Sequence, residues 1–163
     1  MSAPLEFETG DSGQGSVLAP PANQFVTFSA DNKGYGVDIM AVREIRSWSP
    51  TTELPDGSYS ACGVLDIRGT VVEVHDLSAM LGGQRLQAEP GHVVLVVSLG
   101  DTNVGILVDS VSDIIFAKDE EFRAAPNTGG DPSSAKVSRL VRQEDRLIAI
   151  LNLPALFPMV SMH

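Results

Sequence analysis

Three histidines and a single cysteine are the side chains best suited to chemistry in this sequence: His75, His92, His163 and Cys62. Imidazole and thiolate groups bind metal when they recur at short, regular spacings, such as a CxxC pair. These four residues are isolated from one another along the chain and show none of those spacings. We therefore expect isolated polar residues at strand ends, with no metal site and no bound cofactor.

Motifs for nucleophilic or phosphate chemistry are missing as well. The sequence contains no Gly-x-Ser-x-Gly elbow, no phosphate-binding loop and no dinucleotide fingerprint. Acidic residues are numerous, but they fall at turns and near the N-terminus, which is typical of a solvated surface. The residues thus favour a protein that binds other proteins and has no catalytic centre. A small β-barrel enzyme or ligand-binding protein is the alternative.

Short apolar runs separated by turn residues must position these side chains. Val, Ile and Leu dominate the runs, aromatic residues are only 6% of the chain, and no helical segment is long enough to join parallel strands. The continuously apolar run Val93–Val97 predicts a strand that is covered on both faces. This pattern predicts an all-β protein, a barrel or a sandwich.

The individual elements follow from apolar runs and from Gly, Pro, Asn and Asp at the turns. Residues 38–45 fit one helical turn as well as a strand. The predicted strands are 24–29, 35–39, 42–48, 62–67, 70–75, 93–99, 103–108, 111–116, 137–142 and 146–152, with short helices at 77–81 and 153–157 and a long loop at 117–134.

Charge and composition limit the class of partner. The 163 residues include 11 Lys and Arg against 21 Asp and Glu, a formal net charge of −10. Such a surface repels nucleic-acid phosphates and anionic lipid. No segment approaches the roughly 18 consecutive apolar residues that a membrane-spanning helix needs. We expect neither nucleic acid as a partner nor direct membrane insertion.

The N-terminal residues and the lone thiol bear on location. Residues 1–23 are rich in Gly, Ser, Pro and acid, which predicts a disordered tail, with a partner-binding segment as the alternative. They have no basic start followed by an apolar run, and a lone cysteine suits a reducing compartment. A cytoplasmic location is therefore expected.

Four segments carry a resemblance to a known family. The sequence GVLDIRGTVVEVHDL at Gly63–Leu77 resembles the pattern G-V-x-N-L-R-G-x-V-V-P-V-x-D-L of the bacterial chemotaxis coupling protein (CheW) family. Tyr35–Ile39, Val42–Ile45 and Val104–Ile115 are similar to that family's Y-G-[IV]-x-I, V-x-E-I and V-G-[IL]-x-V-D-x-V-x-[DE]-[VI]-L segments. Their order and spacing hold across roughly residues 24–157.

The resemblance implies a fold, a function and partners. The fold is two small five-stranded β-barrels around a shared hydrophobic core at 24–157, with a boundary near 76–92, 158–163 as a C-terminal end, and an exchange of terminal strands left open. The function is a non-enzymatic adaptor that bridges the cytoplasmic tip of a methyl-accepting chemoreceptor and the regulatory domain of a CheA-type histidine kinase. The adaptor would be recruited to membrane-associated receptor arrays.

Four residues carry over to the receptor-binding groove of the family: Val42, Glu44, Ile45 and Arg68. Arg68 either clamps a receptor carboxylate or amide, or pairs with Glu44 or Asp66 to hold the hairpin. Val42 and Ile45 form either the apolar wall of the groove or plain core.

Three residues are expected to have structural roles at turns and close contacts. Gly69 suits a turn that needs a positive φ, and Gly105 permits close packing of strands. Asp109 is expected to accept backbone N–H bonds at a bend, in preference to a kinase contact. The kinase-binding face is expected within Val93–Ile115.

Four positions depart from the family pattern. Cys62 stands where a basic residue is common, Asp66 replaces Asn, Glu73 replaces Pro and Ser78 replaces Arg. Together they predict a more negative surface around the Arg68 hairpin and a changed preference for partners. A kinase-binding regulatory or competitor module that couples no receptor is therefore the alternative function.

Overall fold

Strands make up most of the part of the chain that the structure describes. The computed structural model describes residues 23–48, 61–84, 86, 91–126 and 135–158, so the predictions for residues 1–22 and 159–163 lie outside it. The strands are β1 (Gln24–Ala30), β2 (Lys33–Asp38), β3 (Val42–Ser47), β4 (Ala61–Ile67), β5 (Thr70–Asp76), β6 (Val93–Leu99), β7 (Thr102–Val108), β8 (Ser110–Phe116), β9 (Phe122–Ala124), β10 (Val137–Gln143) and β11 (Arg146–Leu151). The helices are α1 (Leu77–Met80), α2 (Leu153–Leu156) and two short 3-10 helices, Ile39–Ala41 and Asp119–Glu121. The all-β prediction is confirmed.

The strands form two sheets. The first has the order β8-β1-β2-β11-β10-β9 and the second the order β3-β6-β7-β5-β4. The chain leaves the first sheet after Asp38 and returns to it at Ser110, and the late strand β11 lies beside β2, with β10 next to β11. The division between the sheets therefore falls at these two points, whereas the sequence suggests 76–92.

The short strand β9 differs from the loop predicted for 117–134. Residues Asp119–Glu121 form a 3-10 helix, and β9 pairs with β10 through Arg123 opposite Leu140. Three residues are too few to show a strand periodicity, and the acidic run before them favours a loop. This strand raises the first sheet to six strands where the family pattern implies five, and residues 127–134 lie outside the described ranges.

Two hairpins turn through residues with positive φ. Asp31 and Asn32 have φ of 54° and 64°, and Arg68 and Gly69 have φ of 52° and 86°. Two consecutive positive φ values define the type I′ turn, whose twist matches that of the flanking strands. Asn, Asp and Gly tolerate this conformation readily, whereas Arg68 does so at a cost.

Strand β6 shows why the apolar runs are continuous. Leu95 and Val97 face a core shared by both sheets, while Val94 and Val96 face a second cluster that the five-stranded sheet encloses. All four are buried because each face of the strand packs against apolar side chains. A third cluster, which includes Phe25, lies inside the six-stranded sheet.

Side-chain contacts join strands from opposite ends of each sheet: β3 and the β4–β5 turn in the second sheet, and β8 and β10, next to the edge strand β9, in the first. Glu44 on the edge strand β3 contacts Arg68, which follows the opposite edge strand β4. In the first sheet the Gln143 side chain donates to the carbonyl of Phe116 on the edge strand β8. Both sheets therefore curl around their own apolar cluster and share the core between them.

Candidate partner-binding site

Arg68 lies at the tip of the β4–β5 hairpin, with 75% of its side chain exposed. The turn is held by Asp66, whose Oδ1 accepts a hydrogen bond from the backbone N–H of Gly69 at 2.9 Å. This bond needs only a short side chain with an oxygen, which both Asp and the family-typical Asn supply. The turn fixes the backbone of Arg68 and leaves its guanidinium to point across the rim of the sheet.

Glu44 is the residue that meets this guanidinium. Its Oε1 accepts from Arg68 Nη2 at 2.8 Å, its Oε2 lies 3.4 Å from Arg68 Nη1, and Arg46 Nη1 donates to Oε2 at 3.1 Å. Of the two intramolecular partners that the sequence suggests for Arg68, the structure selects Glu44, because Asp66 is bonded to Gly69. The three side chains form one ionic cluster, which we call the Arg68 rim.

The Arg68 rim combines fixed geometry with residual positive charge. Two arginines surround one carboxylate, so the cluster has a net positive charge, whereas the chain as a whole is negative. A guanidinium has five N–H donors, and Glu44 takes two of those of Arg68. The remaining donors are exposed and available to a carboxylate or carbonyl on another protein.

Val42 and Ile45 lie on one face of β3 because a bulge between Val42 and Glu44 shifts the register. Val42 is opposite Val97 and Ile45 is opposite Leu95, and both of those residues belong to the shared core. Val42 is half-buried against that core, whereas Ile45 is 48% exposed. Ile45 thus presents exposed apolar surface at the margin between the sheets, and the half-buried Val42 packs beside it against the shared core.

The sequence does not single out two further residues near this margin, Val71 and Arg46. Val71 is 66% exposed beside the hairpin tip, although the Val71-Val72 run gives no sign of which valine faces outward. Arg46 joins Glu44, and nothing in the sequence distinguishes it from Arg43 on the same strand. The register of the hairpin and the bulge in β3 decide both, and neither is readable from the local sequence.

Gly105 and Asp109 occupy structural positions. A Cβ at Gly105 would lie 2.9 Å from Val94 Cγ1 and 3.1 Å from Val74 Cγ2, so only glycine fits between these two strands without a shift. Asp109 Oδ2 accepts a hydrogen bond from the backbone N–H of Asp31 at 2.9 Å, and Asp109 Oδ1 lies 3.6 Å from His92 Nε2. Asp109 therefore joins the β1–β2 turn to the end of β7.

The four departures from the family pattern are spread along the β4–β5 ladder. Asp66 is at the turn, but Glu73, opposite Val64, is three residue pairs away from it. Cys62 lies near the far end of β4, and Ser78 is buried on α1 beyond the end of β5. Only Asp66 of the four borders the tip at Arg68, and a changed preference for partners stays a prediction.

The remaining titratable contacts have a structural character. Glu73 Oε1 lies 2.9 Å from His75 Nε2, and the His75 ring packs edge-on against Phe157. Burial, with a smaller contribution from Asp31, raises the pKa of Tyr35. Within the described ranges no group of three His, Cys, Asp or Glu side chains is placed to hold a metal ion.

The fold and the site define a class: an all-β protein whose exposed ionic and apolar side chains offer contacts to another protein. A family model for the CheW-like domain matches residues 24–161. Chemotaxis protein CheW of Rhizobium meliloti (strain 1021) is 33% identical over 141 residues, covering 86% of this chain and 91% of that protein. Chemotaxis protein CheW of Bacillus subtilis (strain 168) is 26% identical over 129 residues, covering 79% and 83%.

A solved structure agrees with these relatives. The scaffolding protein TtCheW from Thermoanaerobacter tengcongensis superposes with a TM-score of 0.75 at 25% identity, covering 89% of this chain and 94% of that one. The chain belongs to the CheW-like domain family. No helix in the described ranges is long and apolar enough to cross a membrane.

Proposed function

We propose that this chain is an adaptor of chemotaxis signalling that acts by binding, without catalysis. It joins the cytoplasmic tip of a methyl-accepting chemoreceptor to the regulatory domain of a CheA-type histidine kinase. The observation that carries the proposal is the CheW-like domain match across residues 24–161, which includes nearly all of the described chain. The adaptor works in the cytoplasm and is recruited to membrane-associated receptor arrays.

The receptor is proposed to bind along the margin between the sheets on the side of β3. Ile45 offers exposed apolar surface there, and the Arg68 rim adds charged donors whose geometry is already fixed. A helical receptor hairpin can pack its apolar residues into such a margin and present a carboxylate or amide to the guanidinium. Because Glu44 pre-orients Arg68, little side-chain entropy is lost when the receptor binds.

The kinase is proposed to bind elsewhere, within Val93–Ile115. This segment spans both sheets, since β6 and β7 belong to the second sheet and β8 to the first. Its large exposed apolar residue is Ile114 on β8, an edge strand of the first sheet, whereas the β4–β5 hairpin belongs to the second sheet. Separate faces allow the adaptor to hold both partners at the same time.

Co-sedimentation tests this function directly. The purified chain is mixed with a receptor cytoplasmic fragment and with a kinase, each alone and both together. We expect binding to each partner and a larger amount of kinase in the receptor pellet when the chain is added. Binding to the kinase without the receptor would instead identify a regulatory or competitor module, and binding to neither would overturn the proposal.

A further inference from the structure

A cleft of about 270 Å³ opens at one end of the six-stranded sheet, beside α2. Apolar side chains form much of its wall, including Phe25, Ile150 and Leu153. Two charged residues of opposite sign, Asp38 and Arg139, also line it. The receptor and kinase faces proposed above use none of these five residues.

The register of the sheet explains why both charges face this cleft. Asp38 is directly opposite Phe25 on the neighbouring strand, and Arg139 is directly opposite Ile150. Directly opposed residues share a face of the sheet, and Phe25 and Ile150 belong to the apolar cluster inside it. Asp38 and Arg139 therefore lie on the inner face, where the sheet opens at the mouth of this cluster.

Arg139 is a cation without a carboxylate partner in the described part of the chain. Its guanidinium carbon lies 4.1 Å from the ring centre of Phe122 and 5.9 Å from that of Phe25. No described acceptor lies within hydrogen-bond distance of its nitrogens, so among the described residues its nearest charge-stabilising contact is the cation–π interaction with Phe122.

Asp38 is the complementary anion. Its Oδ1 accepts the backbone N–H of Met40 at 2.8 Å and so begins the 3-10 helix Ile39–Ala41. The carboxylate makes no ion pair with Arg139 or with another described residue, although both side chains line one cleft. The mouth of the six-stranded sheet thus presents a cation and an anion, separated from each other, above an apolar floor.

We propose that this cleft binds a free α-amino acid with an apolar side chain. Arg139 takes the α-carboxylate in a two-pronged hydrogen bond, Asp38 takes the α-ammonium, and Phe25, Ile150 and Leu153 surround the side chain. A zwitterion fits better than an anion because the chain carries a net charge of −10 and repels anions at long range. It fits better than a cation because Arg139 lines the same cleft.

Direct titration with leucine tests the ligand class, and it does not depend on the proposed adaptor function. The readout is the change in NMR methyl shifts of Ile150 and Leu153 in the full chain. We expect saturation with a Kd between roughly micromolar and ten millimolar, as ligand efficiency allows for a molecule of this size. The analogues 4-methylpentanoate, which lacks the ammonium, and 3-methylbutylamine, which lacks the carboxylate, should each bind at least about tenfold more weakly.

Matched variants test the two charged residues. Arg139→Gln and Asp38→Asn should each weaken leucine binding by at least about tenfold, as expected for loss of a charge-assisted hydrogen bond. Arg142→Gln is the control. Arg142 is exposed on the same strand but on the opposite face of the sheet from Arg139, so this variant should leave the affinity unchanged. Asp38→Asn keeps an oxygen to accept from Met40 N–H, so it should fold normally.

Three results would overturn the proposal. They are no saturable shift at Ile150 or Leu153 with leucine, equal affinity for leucine and 3-methylbutylamine, or unchanged affinity in both charge variants. If Arg139→Gln fails to fold, Asp38→Asn and the wild-type comparison of leucine with its two analogues still decide. A chain that fails to bind leucine but co-sediments with receptor and kinase would refute this site and leave the adaptor function intact.

Discussion

At the scale of single residues, Arg68 combines an unfavourable backbone with a fixed side chain. Its φ of 52° lies in the left-handed region, which a non-glycine residue occupies at some cost in free energy. The same turn aims its guanidinium at Glu44, which Arg46 holds from the other side. Strain kept at an exposed residue is a reason to test function there.

Arg68→Ala should separate binding from stability. An exposed ion pair contributes only about 0–1 kcal/mol to folding, so the thermal midpoint should shift by a few degrees at most. Loss of charge-assisted hydrogen bonds to the receptor should lower receptor affinity by about tenfold to a hundredfold, with kinase binding retained. Arg43→Ala is the control, because Arg43 is exposed on β3 but does not contact Glu44. Unfolding of Arg68→Ala, or receptor binding equal to wild type, would contradict the assigned role.

Glu73→Gln tests whether a departure from the family pattern changes partner preference. Proline is typical of the family here, but β5 is flanked by β4 and β7, where a residue without an N–H risks losing a ladder bond. Gln removes the charge and keeps the shape. We expect affinity for a typical chemoreceptor tip to rise by about two- to fivefold, the range of one exposed charge. The measurement is a receptor titration with Glu144→Gln as control, and an unchanged or lower affinity would exclude Glu73 as a determinant.

At the scale of elements, close packing between strands decides which substitutions the fold accepts. β7 lies between β6 and β5 in the second sheet, and Gly105 leaves room there for Val94 and Val74. A short hydrogen-bonded turn also constrains the local backbone, as in the 3-10 helix Asp119–Glu121 that leads into β9. Each case ties one residue type to one local geometry.

Gly105→Ala should destabilise the second sheet by about 1–3 kcal/mol, because the new methyl group meets two stiff valines. Urea unfolding measures the change in free energy. Gly34→Ala is the matched control in a strand, since its nearest neighbours would lie at 3.8 Å or more, an ordinary contact. Gly105→Ala as stable as the control would show that β6 and β5 can separate at little cost.

Glu121 should make stability depend on pH. Its Oε1 accepts the backbone N–H of Lys118 at 2.8 Å and the Gln143 amide at 3.2 Å, and these two bonds, in that order, lower its pKa. The contribution is therefore present above the ordinary pKa of a glutamate and is lost as pH falls through the lowered folded-state pKa.

Glu121→Gln should consequently lose less stability on acidification than wild type. Urea midpoints at a series of pH values give the measurement. Glu120→Gln is the control, because the Glu120 side chain is exposed and makes no hydrogen bond or ion pair with a described residue, so its pH profile should follow that of wild type. Identical acid profiles for Glu121→Gln and wild type would show that the Lys118 and Gln143 bonds do not distinguish the two protonation states.

At the scale of the whole molecule, one core belongs to both sheets. Side chains from β1 and β2 meet those from β6 and β7, and α2 adds Leu153 and Leu156. A shared core makes the two sheets one cooperative unit. The stability of this unit should therefore depend on apolar residues of α2, and it should not depend on residues 1–22, which have few apolar side chains.

Deleting residues 1–22 should leave the thermal midpoint within a few degrees of the full chain, because this segment has too few apolar residues to offset the entropy of ordering it. Circular dichroism on both proteins gives the comparison. Leu153→Ala is the contrasting variant, expected to cost about 2–5 kcal/mol from the shared core. A drop of more than a few degrees on deletion would mean that the segment packs on the sheets.

The sequence by itself determines most of the elements of this protein. Apolar runs, turn residues and the Arg68-Gly69 reversal predict ten of the strands within a residue or two, because strand periodicity and turn chemistry are properties of neighbouring residues. The family pattern adds the likeness to the CheW-like domain. β9 is missed because three residues carry too little local signal.

The tertiary structure alone decides which of these elements and side chains meet. β11 pairs in parallel with β2, although more than a hundred residues separate them in the sequence. Arg68 donates to Glu44 and not to Asp66, and Asp38 and Arg139 line one cleft. None of these contacts can be read from neighbouring residues, because each joins residues that are far apart in the sequence. Each also depends on the packing of apolar side chains against both faces of the strands. Local sequence sets what each strand is, and the shared core sets where it lies.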